Sequence, residues 1–435
     1  MDKVPEHITA IVGAGAVLDF NYAYNGNIKP TTTTITETVR NLKVERINHE
    51  ESDIINKIYN LVQDEMTSIY RKRGLRNKYT LNFEELYFLI ESLESYTKTD
   101  IEYYNPNGRS PLSALLSLKE ELCPHSQIEY ARACGCIIKA IINIIDEYDT
   151  HFRKNSDCEQ WYRKFWRGDE KCKFDIFTFN YDTTIEQSLG EYEDGFELIE
   201  NNAEGIFAFN PQKLLKNPDA LSTVQHLHGC IYYSACLPIE CDKTHSYRDM
   251  FKTRSVQEAW KLGNAYYQEA ATQAREFYYN SPILVGLRKL DKMTFMPNSI
   301  YHANLVNKLV ENSGLFIVGY SFGDLYVNQL LQRRLLMNGA NHRMVIIDYF
   351  PPRVNSIESL YRYLYDENER MLQFIMPFFK VRIEDFKIRG LDFTSYNAPI
   401  YSEDHKCMLL ICGFKKAVEL HSNLIVNFLQ NEIII

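Results

Sequence analysis

Four short stretches carry the residue types that do chemistry, and each follows an apolar run. The first is Gly13-Ala14-Gly15-Ala16-Val17-Leu18, directly after Ile8 to Val12. Two glycines at a strand-to-helix turn let backbone N–H groups approach a pyrophosphate without a Cβ clash. The full dinucleotide fingerprint has a third glycine where this chain has Leu18, so a plain tight turn explains the pair equally well. The second is Thr178-Phe179-Asn180-Tyr181-Asp182, at the end of a run from Phe174. An Asn there can hold a ribose hydroxyl or a water, and an Asp can bond sugar hydroxyls. An Asx-turn capping the next helix accounts for Asp182 before Thr183 and Thr184 just as readily.

The third stretch is His226-Leu227-His228-Gly229. Strand alternation puts both histidines on one side, and an imidazole near its neutral pKa can take a proton from a ribose hydroxyl or water. The pair has no CxxC or HExxH nearby to complete a metal site, and a structural histidine is the ordinary reading of either alone. The fourth is Gly319-Tyr320-Ser321-Phe322-Gly323-Asp324, in which Ser321 can donate to a phosphate. Its Gly319, Ser321 and Gly323 also match the GxSxG spacing of a serine hydrolase, although His342 follows soon after with no clear acidic partner between but Asp324. A last apolar run ends in Asp348, placed to meet an adenosine ribose; helix or turn capping is the alternative for both.

Strands must place these groups. The apolar, β-branched runs Ile8 to Val12, Phe174 to Phe179, Thr223 to Leu227, Ile283 to Val285, Leu315 to Val318 and Met344 to Ile347 read as strands buried on both faces. From about residue 36 to 166 the pattern is helical instead. Phe83, Leu86, Tyr87, Ile90 and Leu93 recur at three and four behind Asn82 as a cap, and a second long helix spans about 128 to 152. A loop at Asn105 to Gly108 breaks this region, a helical stretch covers roughly Val256 to Tyr279, and the run Thr31 to Thr34 reads as a polar loop. The fold expected is α/β: a Rossmann-like, mainly parallel sheet with a large helical insertion after the first strand and a small C-terminal cap. Residues 1–35 and 168–350 form the nucleotide-binding domain in this reading, 36–167 the insertion, and 351–435 a cap or oligomerisation segment.

Bulk properties narrow the class. The 435 residues are 45% hydrophobic and 24% charged, ordinary for a globular protein of two or three domains. A net charge of −9 argues against direct nucleic-acid binding, and Arg71, Lys72, Arg73, Arg76 and Lys78 read as a solvated face or loop. The ten cysteines form no CxxC, which fits free thiols in a reducing compartment. With neither a signal peptide nor an apolar run long enough for a bilayer, the expected location is cytoplasmic.

In their order along the chain, the four motifs resemble those of the sirtuin family. GAGA looks like its opening phosphate turn, TFNYD its Thr-x-Asn-x-Asp motif, LHG the block with the catalytic histidine, and Gly319-Tyr320-Ser321 its late Gly-x-Ser contact. Departures accompany the likeness. The four-cysteine zinc module of deacylating sirtuins is not matched, since the interval holds only Cys230, Cys236 and Cys241. Val17 stands where the family has a serine, and the arginine-bearing loop is not recognisable. The segment Gly286 to Lys292 and the helical insertion are similar to divergent sirtuin-like proteins of bacterial anti-phage systems.

That resemblance implies hydrolysis of NAD as substrate, with no metal, to starve an infected cell. It implies a homo-oligomer and, by length and layout, a HerA-type hexameric ATPase as partner. Gly13, Gly15 and Ser321 would hold the pyrophosphate, helped in the nucleotide site by Ala14, Asp19, Thr178, Gly319, Asp324 and Asp348. Asn180 would position water or the nicotinamide ribose, Asp182 would order that ribose, and His228 would be the base. A protein deacylase and a non-catalytic NAD or ADP-ribose sensor are the competing expectations.

Overall fold

The computed structural model describes residues 6–20, 30–41, 49–72, 80–97, 127–168, 172–199, 205–215, 221–235, 250–261, 282–286, 293, 296–338, 342–384, 387–389 and 391–431. Fourteen strands occur among them: β1 (Glu6–Val12), β2 (Cys172–Thr178), β3 (Phe196–Leu198), β4 (Phe207–Phe209), β5 (Thr223–His226), β6 (Tyr233–Ala235), β7 (Met250–Lys252), β8 (Gly314–Val318), β9 (Arg343–Ile347), β10 (Arg382–Glu384), β11 (Lys387–Arg389), β12 (Leu391–Asp392), β13 (Ile400–Ser402) and β14 (Cys407–Leu410). Eight make one sheet in the order β12-β13-β14-β9-β8-β1-β2-β5. Every pairing from β14 to β5 is parallel, and only the β12-β13-β14 edge is antiparallel. This is the mainly parallel α/β sheet that the apolar runs predict.

Both faces of the sheet are covered, which is why the central strands are apolar at successive positions. Ile8, Ala10 and Val12 of β1 join Phe174, Phe316, Val345 and Met408 in one cluster, while Ile11, Phe177, Ile317, Ile346 and Leu409 join another. The first cluster is closed by Phe165, Trp166 and Phe414, from the helices Gln160–Arg167 and Phe414–Leu429. The second runs on into the helices Thr32–Arg40, His49–Lys72, Phe83–Thr97 and Gln127–Lys154, all inserted between β1 and β2.

These helices show how local sequence sets boundaries. Asn82 caps Phe83–Thr97 in a reciprocal box: its Oδ1 accepts the Glu85 N–H at 3.0 Å and its own N–H donates to Glu85 Oε2 at 3.1 Å. The five apolar positions Phe83, Leu86, Tyr87, Ile90 and Leu93 are buried. The run Thr31 to Thr34, expected as a loop, instead starts a helix. Thr31 Oγ1 accepts the Thr34 N–H and Thr34 Oγ1 the Thr31 N–H, so hydroxyls that usually favour turns here satisfy orphan amides. The expected strand 283–285 is a single antiparallel bridge between Gly229 and Ile283. Asn105 to Gly108 and residues 262–279 and 287–292 lie outside the described residues.

A second, antiparallel sheet, β3-β4-β7-β6, stands beside the first. It closes on the rings of Phe196, Phe209, Tyr233 and Tyr301 and on the ion pair of Lys252 with Asp194 at 2.6 Å. No described helix is long and apolar enough to cross a membrane.

The strand order reverses at β1: the path runs through β2 to β5 on one side and through β8 and β9 to β14 on the other. Such a switch point opens a crevice at the carboxyl ends of the diverging strands. Its two rims meet through glycine. Gly13 N donates to Val318 O at 3.0 Å and Gly15 N to Gly319 O at 2.9 Å. A Cβ on Gly319 would lie 2.1 Å from Ala16 N, and its φ of +60° is left-handed. Gly319→Ala therefore combines a left-handed cost of about 1–2 kcal/mol with a backbone overlap that no side chain can yield to. We expect its Tm to fall by at least about 4 °C in thermal denaturation; an unchanged Tm would mean that the two turns separate freely.

Candidate active site

The residues singled out by chemistry converge on this crevice through a chain of direct contacts. Phe179, the first residue past β2, donates its N–H to Val12 O at 2.8 Å and so ties the second motif to the first. Its ring stacks on Tyr320 at 4.8 Å and meets His228 edge-on at 4.7 Å. His228 Nε2 lies 3.3 Å from Asp324 Oδ2, with both side chains largely buried. Four strand ends, β1, β2, β5 and β8, thus share one site.

Asn180 is its most informative member. The residue is 6% exposed, and neither Oδ1 nor Nδ2 has a hydrogen-bond partner among the described residues. Its backbone, by contrast, is held twice: the N–H donates to Thr178 Oγ1 at 3.0 Å and the carbonyl accepts from His226 Nδ1 at 2.9 Å. A buried amide left without partners costs about 1–3 kcal/mol. A position fixed this firmly at that cost is what a ligand-binding group requires.

The two histidines do not share surroundings, because the strand ends at His226 and residues 227–228 turn. His226 Nε2 donates to Glu186 Oε1 at 2.7 Å, so both ring nitrogens are donors and the ring is an imidazolium. Burial opposes that charge, but the Glu186 carboxylate and the Asn180 carbonyl outweigh it and hold His226 above the ordinary imidazole value. Burial likewise disfavours the Glu186 anion, and His226 outweighs it in turn. His226 is therefore a brace for the Asn180 backbone.

Asp182 takes the Asx-turn arrangement. Oδ1 accepts the Thr184 N–H at 3.0 Å and its hydroxyl at 2.5 Å, while Oδ2 accepts Tyr148 OH from the inserted helix Gln127–Lys154. Next to it, Asp149 accepts from Thr183 N at 2.7 Å and from Tyr232 OH at 2.8 Å. Burial, and then the negative Asp182, push Asp149 up to about 7. The insertion thus grips the Asn180 loop through two adjacent carboxyl groups.

On the other rim, the amides of Gly13, Gly15 and Ala16 are spent on the turns, whereas the Ala14 N–H has no acceptor among the described residues. Ser321 is exposed, and its Oγ makes no hydrogen bond among the described residues. The nucleophile-to-base contact of a serine hydrolase is therefore not formed. A Cβ on Gly323 would lie 3.4 Å from Ser321 Oγ and 3.3 Å from Nη1 of Arg370. Arg370 is an exposed cation without an ion-pair partner among the described residues. Hydroxyl and guanidinium flank one glycine, a pairing suited to an anion. The sequence reading missed Arg370, which carries no motif and reaches the turn only through tertiary packing.

Asp19 and Asp348 meet at a third place. Asp19 Oδ2 accepts the Lys415 N–H at 2.9 Å, capping Phe414–Leu429, and the Asp348 carbonyl accepts the Gly413 N–H at 3.1 Å. Burial pushes the Asp348 carboxyl up to about 6.

Among the described residues no group of three or more His, Cys, Asp or Glu side chains is arranged to hold a metal ion, and the seven described cysteines are free thiols. Residues 175–371 match the family model described as a SIR2-like domain. That match supports a sirtuin-like family and NAD-related, NAD-dependent enzymatic activity, since SIR2-like domains use NAD. It starts within β2 and takes in Asn180, His228, Ser321 and Asp324, while Gly13 and Gly15 precede it. No curated protein matches the chain.

The Asp149 pair has a pH signature. Its folded value of about 7 lies above the ordinary 3.8, so the folded state binds the extra proton and that stability fades as pH rises through 7. Relative to Asp149→Asn, which stays neutral throughout, wild-type Tm should lose ground between pH 5 and 8. A Tm difference constant over that range would refute the shift.

Proposed function

We propose that this protein hydrolyses NAD+ to nicotinamide and ADP-ribose. The observation that carries the reading is the amide of Asn180, without a hydrogen-bond partner among the described residues and fixed at a strand end of the switch-point crevice, where open α/β sheets take their ligands; its neighbour Phe179 packs on the imidazole of His228. An amide offers a donor and an acceptor together, which suits a ribose hydroxyl or the attacking water. In the reaction the water oxygen bonds to the anomeric carbon as the carbon–nitrogen bond breaks. Those bonding electrons neutralise the pyridinium, and His228 takes the water proton. The cationic leaving group departs readily, so the site has mainly to orient water and stabilise positive charge on the sugar.

In the same reading Ala14, Ser321 and Arg370 hold the pyrophosphate by their unused donors. Gly13, Gly15 and Gly319 shape its turn, Thr178 holds the loop, and Asp348 faces the adenosine ribose. Asp182 acts on the sugar by fixing the loop that carries Asn180. The wider role we propose is NAD depletion in anti-phage defence, by a cytoplasmic homo-oligomer working beside a HerA-type ATPase. This part rests on the likeness of the motifs alone.

The test is nicotinamide release from NAD by the purified protein, with and without the product of its neighbouring gene. Asn180→Ala and His228→Ala should each cut the rate by about 10²–10⁴-fold, with Tm little changed in Asn180→Ala because that amide makes no hydrogen bond among the described residues. Wild-type rates in both variants would overturn the assignment, and acetyl-lysine turnover would favour a deacylase instead.

A further inference from the structure

We infer that Asp324 is a positioning residue that holds and polarises the His228 imidazole, rather than a ligand of the nucleotide. The inference rests on the hydrolase reading for its kinetic consequence but not for its geometry. The two residues lie far apart in the chain and come from different strand ends, yet His228 Nε2 sits 3.3 Å from Asp324 Oδ2. The carboxylate cannot wander. Its other oxygen, Oδ1, accepts the backbone N–H of Tyr326 at 3.0 Å and of Val327 at 3.2 Å, at the start of the helix Leu325–Asn338. One oxygen is thus committed to the helix and the other faces the ring.

The imidazole is confined as well. Phe179 packs against it, and Phe179 is stacked on Tyr320, whose hydroxyl lies 3.1 Å from the Asp324 carbonyl and 3.0 Å from Asn328 Oδ1. Ring, clamp and carboxylate form one closed unit. A carboxylate engaged in this way is badly suited to a pyrophosphate, which it would repel, and well suited to an imidazolium. With the Nε2 proton facing Asp324, Nδ1 is the ring's acceptor nitrogen. On accepting a proton from water or a sugar hydroxyl, the ring becomes a cation beside an anion. Among the described residues His302 and Tyr320 also feel the Asp324 charge, and Arg370 acts on Tyr320.

Asn is an equally good helix cap, so Asp324→Asn keeps the fold while removing the charge. Two measurements then separate the inference from the reading beneath it. In the first, histidine-ring NMR follows His228, assigned by its loss in His228→Ala. The ring should titrate lower in Asp324→Asn than in wild type by about one pH unit or more. In the second, nicotinamide release should show kcat lower by about 10–10³-fold with KM altered less than about threefold, and the acid limb of the kcat/KM profile moved to lower pH. In the His228→Ala background Asp324→Asn should cost nothing further. An unchanged ring titration overturns the inference, as does a raised KM with kcat retained. Wild-type protein that releases no nicotinamide removes the hydrolase reading, while the ring titration still decides the role of Asp324.

Discussion

The turns that follow β1 and β8 touch through backbone alone, and the rest of the site is arranged around that contact. Gly13 and Gly15 on one side and Gly319 on the other leave no room for a Cβ, so the two strand ends stay in register where the strand order reverses. Because the rims cannot drift, the groups hung from them arrive at fixed separations: Phe179 through its bond to Val12, and Tyr320, Ser321 and Asp324 through Gly319. The glycines at the sheet's carboxyl edge therefore do mechanical work first. Of the opening turn's amides, the one at Ala14 remains to meet a ligand.

The sequence made the frame legible and hid the wiring. Five of the six expected strands form within two residues of their apolar runs, because a strand buried on both faces must be apolar throughout. The sixth, at 283–285, was read from the same signal, but only Ile283 pairs. β14 escaped notice because Cys-Met-Leu-Leu lacks β-branched residues, and β3, β4, β6 and β7 are too short to show a period. The four chemical motifs announced themselves by position after strands. Their partners did not. Glu186 for His226, Asp149 beside Asp182, and Arg370 beside Ser321 are brought together only by tertiary packing, which no local pattern records.

Charge is distributed unevenly around the crevice. Behind Asn180 the imidazolium of His226 and the Glu186 anion neutralise each other in a dry environment, where an unpaired ion would be far more costly. Beside it, Asp149 and Asp182 face one another with hydroxyl and amide donors on both and a single cation, Arg153, 2.9 Å from Asp149. The loop with the partnerless amide is thus held by one buried ion pair and by two neighbouring carboxyl groups. The second reaches it from the inserted helices, so the insertion is mechanically part of the site.

The placement of that insertion also bears on how the chain is made. β1 emerges early, but its neighbours β2 and β8 pair with it from Cys172 and Leu315 onward. Loop closure over such a span is thermodynamically mild, at roughly 0.6 kcal/mol per doubling of length. The delay is the greater burden: an apolar Ile-Thr-Ala-Ile-Val segment must wait on the ribosome without a neighbour, open to wrong partners. The helices made next bury a core among themselves. Between the first strand of this sheet and its neighbour the ribosome thus makes a segment whose described residues are helical and add no strand to it.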